Sequence, residues 1–430
     1  DSHSYDWGSN PHSSILFSKN LLLRDDSMDQ SLSGQNQRVQ KYLGDKGLVV
    51  LIALLSAFVP LSTDLYLPAL PGMGDYFGVS ADLTNLTLIL FFLFFSLGLL
   101  FWGPLSDKYG RRPILLAGLA LYIAASAGCA LSWSIWHLSA FRVLQAIGGS
   151  AASAVATAMV KDVYDGRKQE SVLSIVQSMV VISPAIAPVL GAFMLPYTSW
   201  RGLFLTLALI GVVSMAGALL LEETIPSRYT GTVAQSIQRL GAVLRNPGFT
   251  SLLVVFSLVS TASLAFVSAS PYIYQDWFGL SEQWYSFYFA LNAIGLIVGP
   301  FLYLWLSRHT SRWMIVASGF AVMLVGGALV CLFGNLGPLF FALGLFPASL
   351  MGSAVRPPGA FLMLDQQKED TGSASALINC AGLVFGSAGM ILVFLGGENL
   401  VLSLGALNVA VGAVCLAGWA AIGRWGLVRS

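Results

Sequence analysis

The chain has 430 residues, of which 56% are hydrophobic and only 10% charged, with a mean hydropathy of +0.74. A soluble domain carries about 25% charged residues, and the strands of a membrane barrel alternate apolar with polar residues. Both classes are excluded, as is a disordered chain, and what remains is a polytopic helical membrane protein that satisfies its backbone hydrogen bonds within each segment.

Residues 1–46 are a polar head with His3, Asp6, Lys19, Arg24 and Arg38 and no long apolar run. The sequence starts at Asp1, and Met28 opens a stretch (MDQSLSGQNQ) that reads as a natural beginning. Residues 1–27 are expected to be a leader or an artificial extension and are set apart from the fold. They are no secretory signal, because SILF is too short for its apolar core.

From Gly47 onward twelve apolar stretches are expected to cross the bilayer: 47–70, 84–106, 112–133, 136–160, 170–195, 200–221, 250–272, 284–307, 311–333, 337–364, 370–395 and 399–425. Each is long enough for a hydrocarbon core of about 30 Å. With the N-terminus placed in the cytoplasm, all of the 22 Lys and Arg fall in the head, the inner loops or the tail except Arg201, Arg142 and Arg356. That asymmetry predicts cytoplasmic N- and C-termini, and it checks the number of spans, since a missed one would invert every later loop.

The long inner stretch 222–249 divides the spans into a 47–221 half and a 250–430 half. Within it Val233, Ile237, Leu240 and Leu244 recur at helical spacing beside Arg239 and Arg245. This predicts a short amphipathic helix, lying on the cytoplasmic leaflet or packed on protein alone. Cys129, Cys331, Cys380 and Cys415 each sit in an apolar run and form no C-x-x-C pair, so they read as small buried hydrophobes rather than a disulfide or zinc framework.

Charges inside the spans are expensive and point to function. Asp64, alone in the first span between Pro60 and Pro68, is a candidate reversible proton carrier; the alternative is a cap on a helix break. Arg142 in the fourth span must be paired or hydrogen-bonded, either in a functional network or to backbone carbonyls. Arg356 precedes Pro357-Pro358, so it either satisfies carbonyls those prolines free or faces a cavity and recognises anionic or carbonyl-bearing substrate. Tyr288 and Asn292 share one face of the eighth span, and Tyr66, Gln177, Phe266 and Asn379 stand at cavity depth; together they are the substrate-cavity candidates.

The loop 103–113 reads GPLSDKYGRRP. Here Gly103 is expected to permit close helix approach, Asp107 to face the N-terminus of a neighbouring helix, Gly110 to allow a tight reversal, and Arg111 and Arg112 to anchor the inner end. Residues 141–154 read FRVLQAIGGSAASA, with a small-residue stripe at Gly148, Ala152 and Ala156 suited to close packing. Residues 183–192 read SPAIAPVLGA, where Pro184 and Pro188 are expected to bend the fifth span. Gly103-Pro104 and Gly299-Pro300 are faint echoes of one half in the other.

Together these motifs resemble the major facilitator superfamily, whose signature loop lies between its second and third spans. With LSTDLYLPALP (61–71), WRGLF (200–204), EETIP (222–226) and YFALN (288–292), the chain is similar to the bicyclomycin-resistance (Bcr/CflA) type of drug/proton antiporter over residues 47–430. The fifth-span motif departs from the antiporter pattern, with Ala187-Pro188 and Gly191-Ala192 replacing its usual Gly-Pro and Gly-Gly pairs, and Ser56 stands where some relatives carry a second acid. The resemblance implies a multi-pass protein of the bacterial inner membrane that exports varied small-molecule drugs by alternating access, driven by proton entry. It implies that Asp64, Arg142 and Gln145 couple the proton, and that residues 103–112 form a conformational switch.

The expected partners are drugs, protons and the lipid bilayer, with no nucleic acid, and the expected state is a monomer. An uncoupled metabolite exporter of the same fold is the nearest alternative, and a membrane sensor or channel a more distant one. No metal cluster, P-loop or G-x-S-x-G element is found, so no cofactor and no enzyme is expected.

Overall fold

The computed structural model describes residues 40–225, 233–367 and 371–426. Among them eleven helices are long and apolar enough to cross a membrane. The longest, Gly166–Leu220, is two passes in one: Ser199 adopts φ 60° and ψ 174° inside it and breaks the helix. The twelve expected passes are therefore present. The break falls between the expected fifth and sixth spans, just after Pro196, which cannot donate the next helical hydrogen bond. Pro184 and Pro188, in contrast, leave the fifth span continuous.

Polar residues set the span starts. Ser134 accepts from the backbone N–H groups of Trp136 and His137 to begin Ile135–Val163. Asn246 accepts from those of Gly248 and Phe249 to begin Pro247–Pro271, with Pro247 at the first helical position. Ser281, Ser311 and Asn399 do the same for the eighth, ninth and twelfth spans.

Two spans break near the prolines they carry, Pro60 and Pro68 in the first and Pro357-Pro358 in the tenth. The first pass occupies Gly44–Phe77, longer than expected. It consists of Gly44–Ser56, Phe58–Asp64, a 3₁₀ turn Leu67–Ala69 and Leu70–Phe77. The tenth, Pro338–Asp365, breaks between Ala354 and Arg356. The expected linker helix forms at Val233–Leu244, while residues 226–232 and nearly all of the head lie outside the described residues. Its last turns lean on protein, with Val243 buried and Leu240 packed against the core. Cys129, Cys380 and Cys415 are buried thiols as expected, and Cys331 is half-buried.

Spans 2 and 11, and spans 5 and 8, form the seam between the halves. At the end carrying the 77–81 and 277–282 loops, five hydrogen bonds cross that seam. Asn85 Nδ2 donates to Met390 O (3.3 Å) and Tyr272 Oη to Ala81 O (3.3 Å). Gln275 Nε2 donates to Pro68 O (3.1 Å), Gln283 Nε2 to Ala192 O (3.3 Å) and Ser286 Oγ to Pro188 O (3.0 Å). Pro196 lacks the N–H that would occupy the Ala192 carbonyl within the helix, which leaves it for Gln283. From this closed end a cavity runs between the halves toward the end that carries residues 103–112.

Candidate functional site

The cavity holds about 780 Å³ and is bounded by residues of both halves. Of the expected cavity residues it is lined by Gln177, Phe266, Asn292, Arg356 and Asn379, and by Asp64 as well. Its remaining walls are largely apolar and aromatic, with Phe92 and Phe95 on one side and Phe256 and Phe289 on the other. Phe266 and Phe289 stack at 5.5 Å. A wide apolar chamber with a few fixed polar groups suits small organic molecules of varied shape. Among the described residues Asp64 and Arg356 are the only charged ones lining it, Asp64 from the first half and Arg356 from the second.

Two expected cavity residues lie elsewhere. Tyr66 is fully buried, and its hydroxyl bonds Thr87 (3.2 Å) and accepts from Arg142 (3.3 Å), because the turn after Asp64 rotates it into the first half. Tyr288 stacks on Tyr274 at 5.0 Å, an aromatic contact that holds it off the cavity face of its helix; Phe289, one residue on, lines the cavity instead.

Asp64 is buried and accepts a hydrogen bond from the Thr63 hydroxyl (2.9 Å). Thr63 has one proton and two further acceptors in reach, Val59 O at 3.0 Å and Pro60 O at 3.4 Å. Arg142 is fully buried, between the rings of Tyr66 and Phe91 at 4.5 and 4.2 Å. Its Nη1 donates to Ser62 O (2.9 Å) and to Gln145 Oε1 (2.6 Å), and Gln145 Nε2 donates to Ser126 Oγ (2.8 Å). Ser62 Oγ in turn shares a hydrogen bond with Tyr122 Oη (2.6 Å). Arg142 and Gln145 thus sit together as expected, but Asp64 makes no ion pair with Arg142: the link between them is the first-span backbone, two residues from Asp64. Tyr122, Ser126 and Phe91 carry no sequence signal for this cluster; each looks like an ordinary residue of an apolar helix.

Arg356 is exposed into the cavity, and among the described residues it donates only to Ser263 Oγ, at a long 3.4 Å. The carbonyls that Pro357 and Pro358 free take none of its donors, so the hydrogen bonds go against the carbonyl-satisfying alternative. Asn292 is buried at the cavity wall, and neither its Nδ2 nor its Oδ1 has a hydrogen-bond partner among the described residues.

The 103–112 loop is held differently from expectation. Asp107 pairs with Arg111, four residues on, rather than facing a neighbouring helix N-terminus. That N-terminus, at the start of Arg111–Ala130, is taken by Glu223, which accepts from the backbone N–H of Arg111 (2.8 Å) and of Arg112 (3.3 Å). Gly110 has φ 108°, and a side chain there would strike the Glu223 carboxylate, so this reversal needs glycine. Gly103 permits no close approach here, since a Cβ at that position meets nothing within 4 Å. Arg111 donates its Nε to Asp162 Oδ2 (2.7 Å), and Arg112 Nη2 donates to Leu219 O (2.8 Å). Asp162 and Glu223, which close the network, belong to distant stretches of sequence, and only the EETIP match touches either.

The two ion pairs of Arg111 differ in exposure: the Asp107 side chain is 49% exposed and that of Asp162 13%. Asp162→Asn is therefore expected to cost about 1.5–3 kcal/mol, and Asp107→Asn under about 1 kcal/mol. Melting temperatures in detergent compare the two, and equal losses would contradict the assignment of Asp162 as the main partner.

Comparison with known proteins fits this geometry. The model of the Major Facilitator Superfamily matches residues 52–390. The "Uncharacterized MFS-type transporter YdgK" of Bacillus subtilis (strain 168) is 30% identical over 351 residues, covering 79% of this chain and 86% of the relative. The "Chloramphenicol resistance protein" of Pseudomonas aeruginosa is 30% identical over 370 residues, covering 82% and 85%. A solved bacterial homolog of the human lysosomal transporter Spinster, inward-facing and unoccupied, shares the fold with a TM-score of 0.71 at 15% identity, over 90% of this chain and 98% of that one. With its twelve passes, its central cavity and a family match over most of its length, this chain belongs to the major facilitator superfamily and is a multi-pass membrane transporter.

Proposed function

We propose that the chain is a proton-coupled exporter of small-molecule drugs in the bacterial inner membrane, of the bicyclomycin-resistance (Bcr/CflA) type, with the 103–112 end and both termini in the cytoplasm. The observation that carries this reading is that, among the described residues, Asp64 is the one acidic residue lining a wide, aromatic-walled cavity between the halves. The relatives named for chloramphenicol resistance and, in Klebsiella pneumoniae (strain 342), for multidrug resistance support the substrate class.

In this reading the ionised Asp64 holds the cavity ready for drug, and its protonation from outside displaces the drug. Thr63 adjusts to both states: its one proton goes to the Asp64 carboxylate when that is ionised and turns to Val59 O when Asp64 takes up a proton. Arg142, tied to Ser62 O, holds the first span in register as this happens. The 47–221 and 250–430 halves move about the seam as the two bodies of alternating access.

The test is proton release. Adding drug to purified protein in weakly buffered detergent, at a pH where the unliganded protein still holds its proton, is expected to acidify the medium in proportion to the drug bound. Saturable drug binding with no released proton at any pH from 5 to 9 would overturn proton coupling and leave the uncoupled exporter.

A further inference from the structure

We propose that the cavity wall contributed by the second half is a carboxylate-binding subsite, in which Arg356 and Asn292 grip the carboxylate of an amphoteric substrate whose amine faces Asp64. The proposal rests on the export reading for its purpose and sharpens it to a substrate class.

Arg356 has five N–H donors, and among the described residues its one hydrogen bond is the 3.4 Å contact to Ser263 Oγ. Among the described residues no carboxylate stands within ion-pairing distance of it. A guanidinium at membrane depth with its donors unspent is costly unless something arrives to take them. Its planar fork matches the two oxygens of a carboxylate.

Asn292 is the independent observation. It lines the same cavity, is almost wholly buried, and leaves both its amide nitrogen and its amide oxygen unpartnered. Buried polar groups are nearly always satisfied, so an empty amide lining the same cavity as an unspent guanidinium marks a place made for a ligand. Asn292 Nδ2 adds a third donor to a bound carboxylate. Opposite them, Asp64 on the first half attracts a cation and disfavours a second anion. The two walls together fit a molecule with an amine toward one side and a carboxylate toward the other.

The probes are an amphoteric quinolone carboxylic acid, its methyl ester, and tetraphenylphosphonium, with binding measured on the purified full-length protein. The ester keeps the amine and ring system and loses only the anion. The wild type is expected to bind the acid at least about tenfold more tightly than the ester. Arg356→Gln is expected to weaken the acid by about 10- to 100-fold, the range set by charge-assisted hydrogen bonds, and to leave the ester and the cation within about twofold. Arg356→Lys should recover part of the loss, since it restores the charge without the fork, and Asn292→Leu should cause a smaller loss confined to the acid.

Equal wild-type affinity for acid and ester overturns the subsite. So does an Arg356→Gln variant that loses all three ligands together with a lower melting temperature, which would make the guanidinium structural. The subsite and the export reading fail separately. Discrimination between acid and ester without any proton release sinks the antiporter and keeps the subsite, whereas proton release without discrimination does the reverse. Asp64→Asn should keep the acid-to-ester ratio, because both probes carry the same amine.

Discussion

Asp64→Asn is expected to abolish proton-driven drug export while leaving the protein folded and inserted. For a neutral drug exchanged for one proton, one pH unit and 100 mV together make about 3.7 kcal/mol available, enough for a drug gradient of roughly 500-fold. An amide in place of the carboxylate carries no transferable proton, so the variant should sustain no gradient. Downhill movement of drug is expected to survive, since the cavity is otherwise unchanged. The side chain keeps its shape, and Thr63 can still donate to the oxygen it contacts at 2.9 Å. Among the described residues no second acidic side chain lines the cavity to take over, and Ser56 is among those that do line it. Proteoliposomes with an imposed proton gradient measure the effect; active accumulation at the wild-type level would remove Asp64 from the coupling mechanism.

A second large effect is expected from one methyl group. Gly148→Ala should destabilise the first half by about 1–3 kcal/mol, and Gly148→Val by more. A Cβ at Gly148 would stand 2.6 Å from the backbone nitrogen of Tyr122 and 2.7 Å from the carbonyl oxygen of Gly118. Backbone atoms cannot swing aside, so spans 3 and 4 would have to separate. Tyr122 and Ser126 lie on the displaced face, and they carry the bonds to Ser62 and Gln145 that keep Arg142 in place. Transport should therefore fall together with stability. Thermal unfolding in detergent reads the first effect, and a melting temperature within 1–2 °C of the wild type would show that the helices yield more easily than their contact distances imply.

The span count and the motif positions were legible in the sequence because apolar length and the Lys and Arg distribution respond directly to the bilayer. Asp64, Arg356 and Asn292 were legible for the same reason: a polar group at membrane depth needs a purpose. What stayed hidden depends on helix rotation. Tyr66 and Asp64 are two residues apart, yet the break after Asp64 sends one into the protein and the other to the cavity. Tyr288 and Asn292 share a helix face by periodicity, but Tyr274 claims the first of them. Glu223 and Asp162 were hidden because the groups they satisfy come from elsewhere in the chain, and sequence spacing carries no trace of such pairings.

The closed end of the seam has a consequence for how readily it opens. All five hydrogen bonds described there run from a neutral side chain to a backbone carbonyl, at 3.0–3.3 Å. Each such bond contributes about 0.5–1.5 kcal/mol net, so the set holds a few kcal/mol, the same order as the roughly 5.5 kcal/mol needed to carry a two-state equilibrium from 1:99 to 99:1. These five bonds themselves carry no charge for ionic strength to screen. The acceptors belong to the main chain, so evolution can retune these five bonds only through Asn85, Tyr272, Gln275, Gln283 and Ser286, one increment per donor. Homologous transporters with fewer of these donors should rest farther toward the opposite-facing state while keeping the same cavity chemistry.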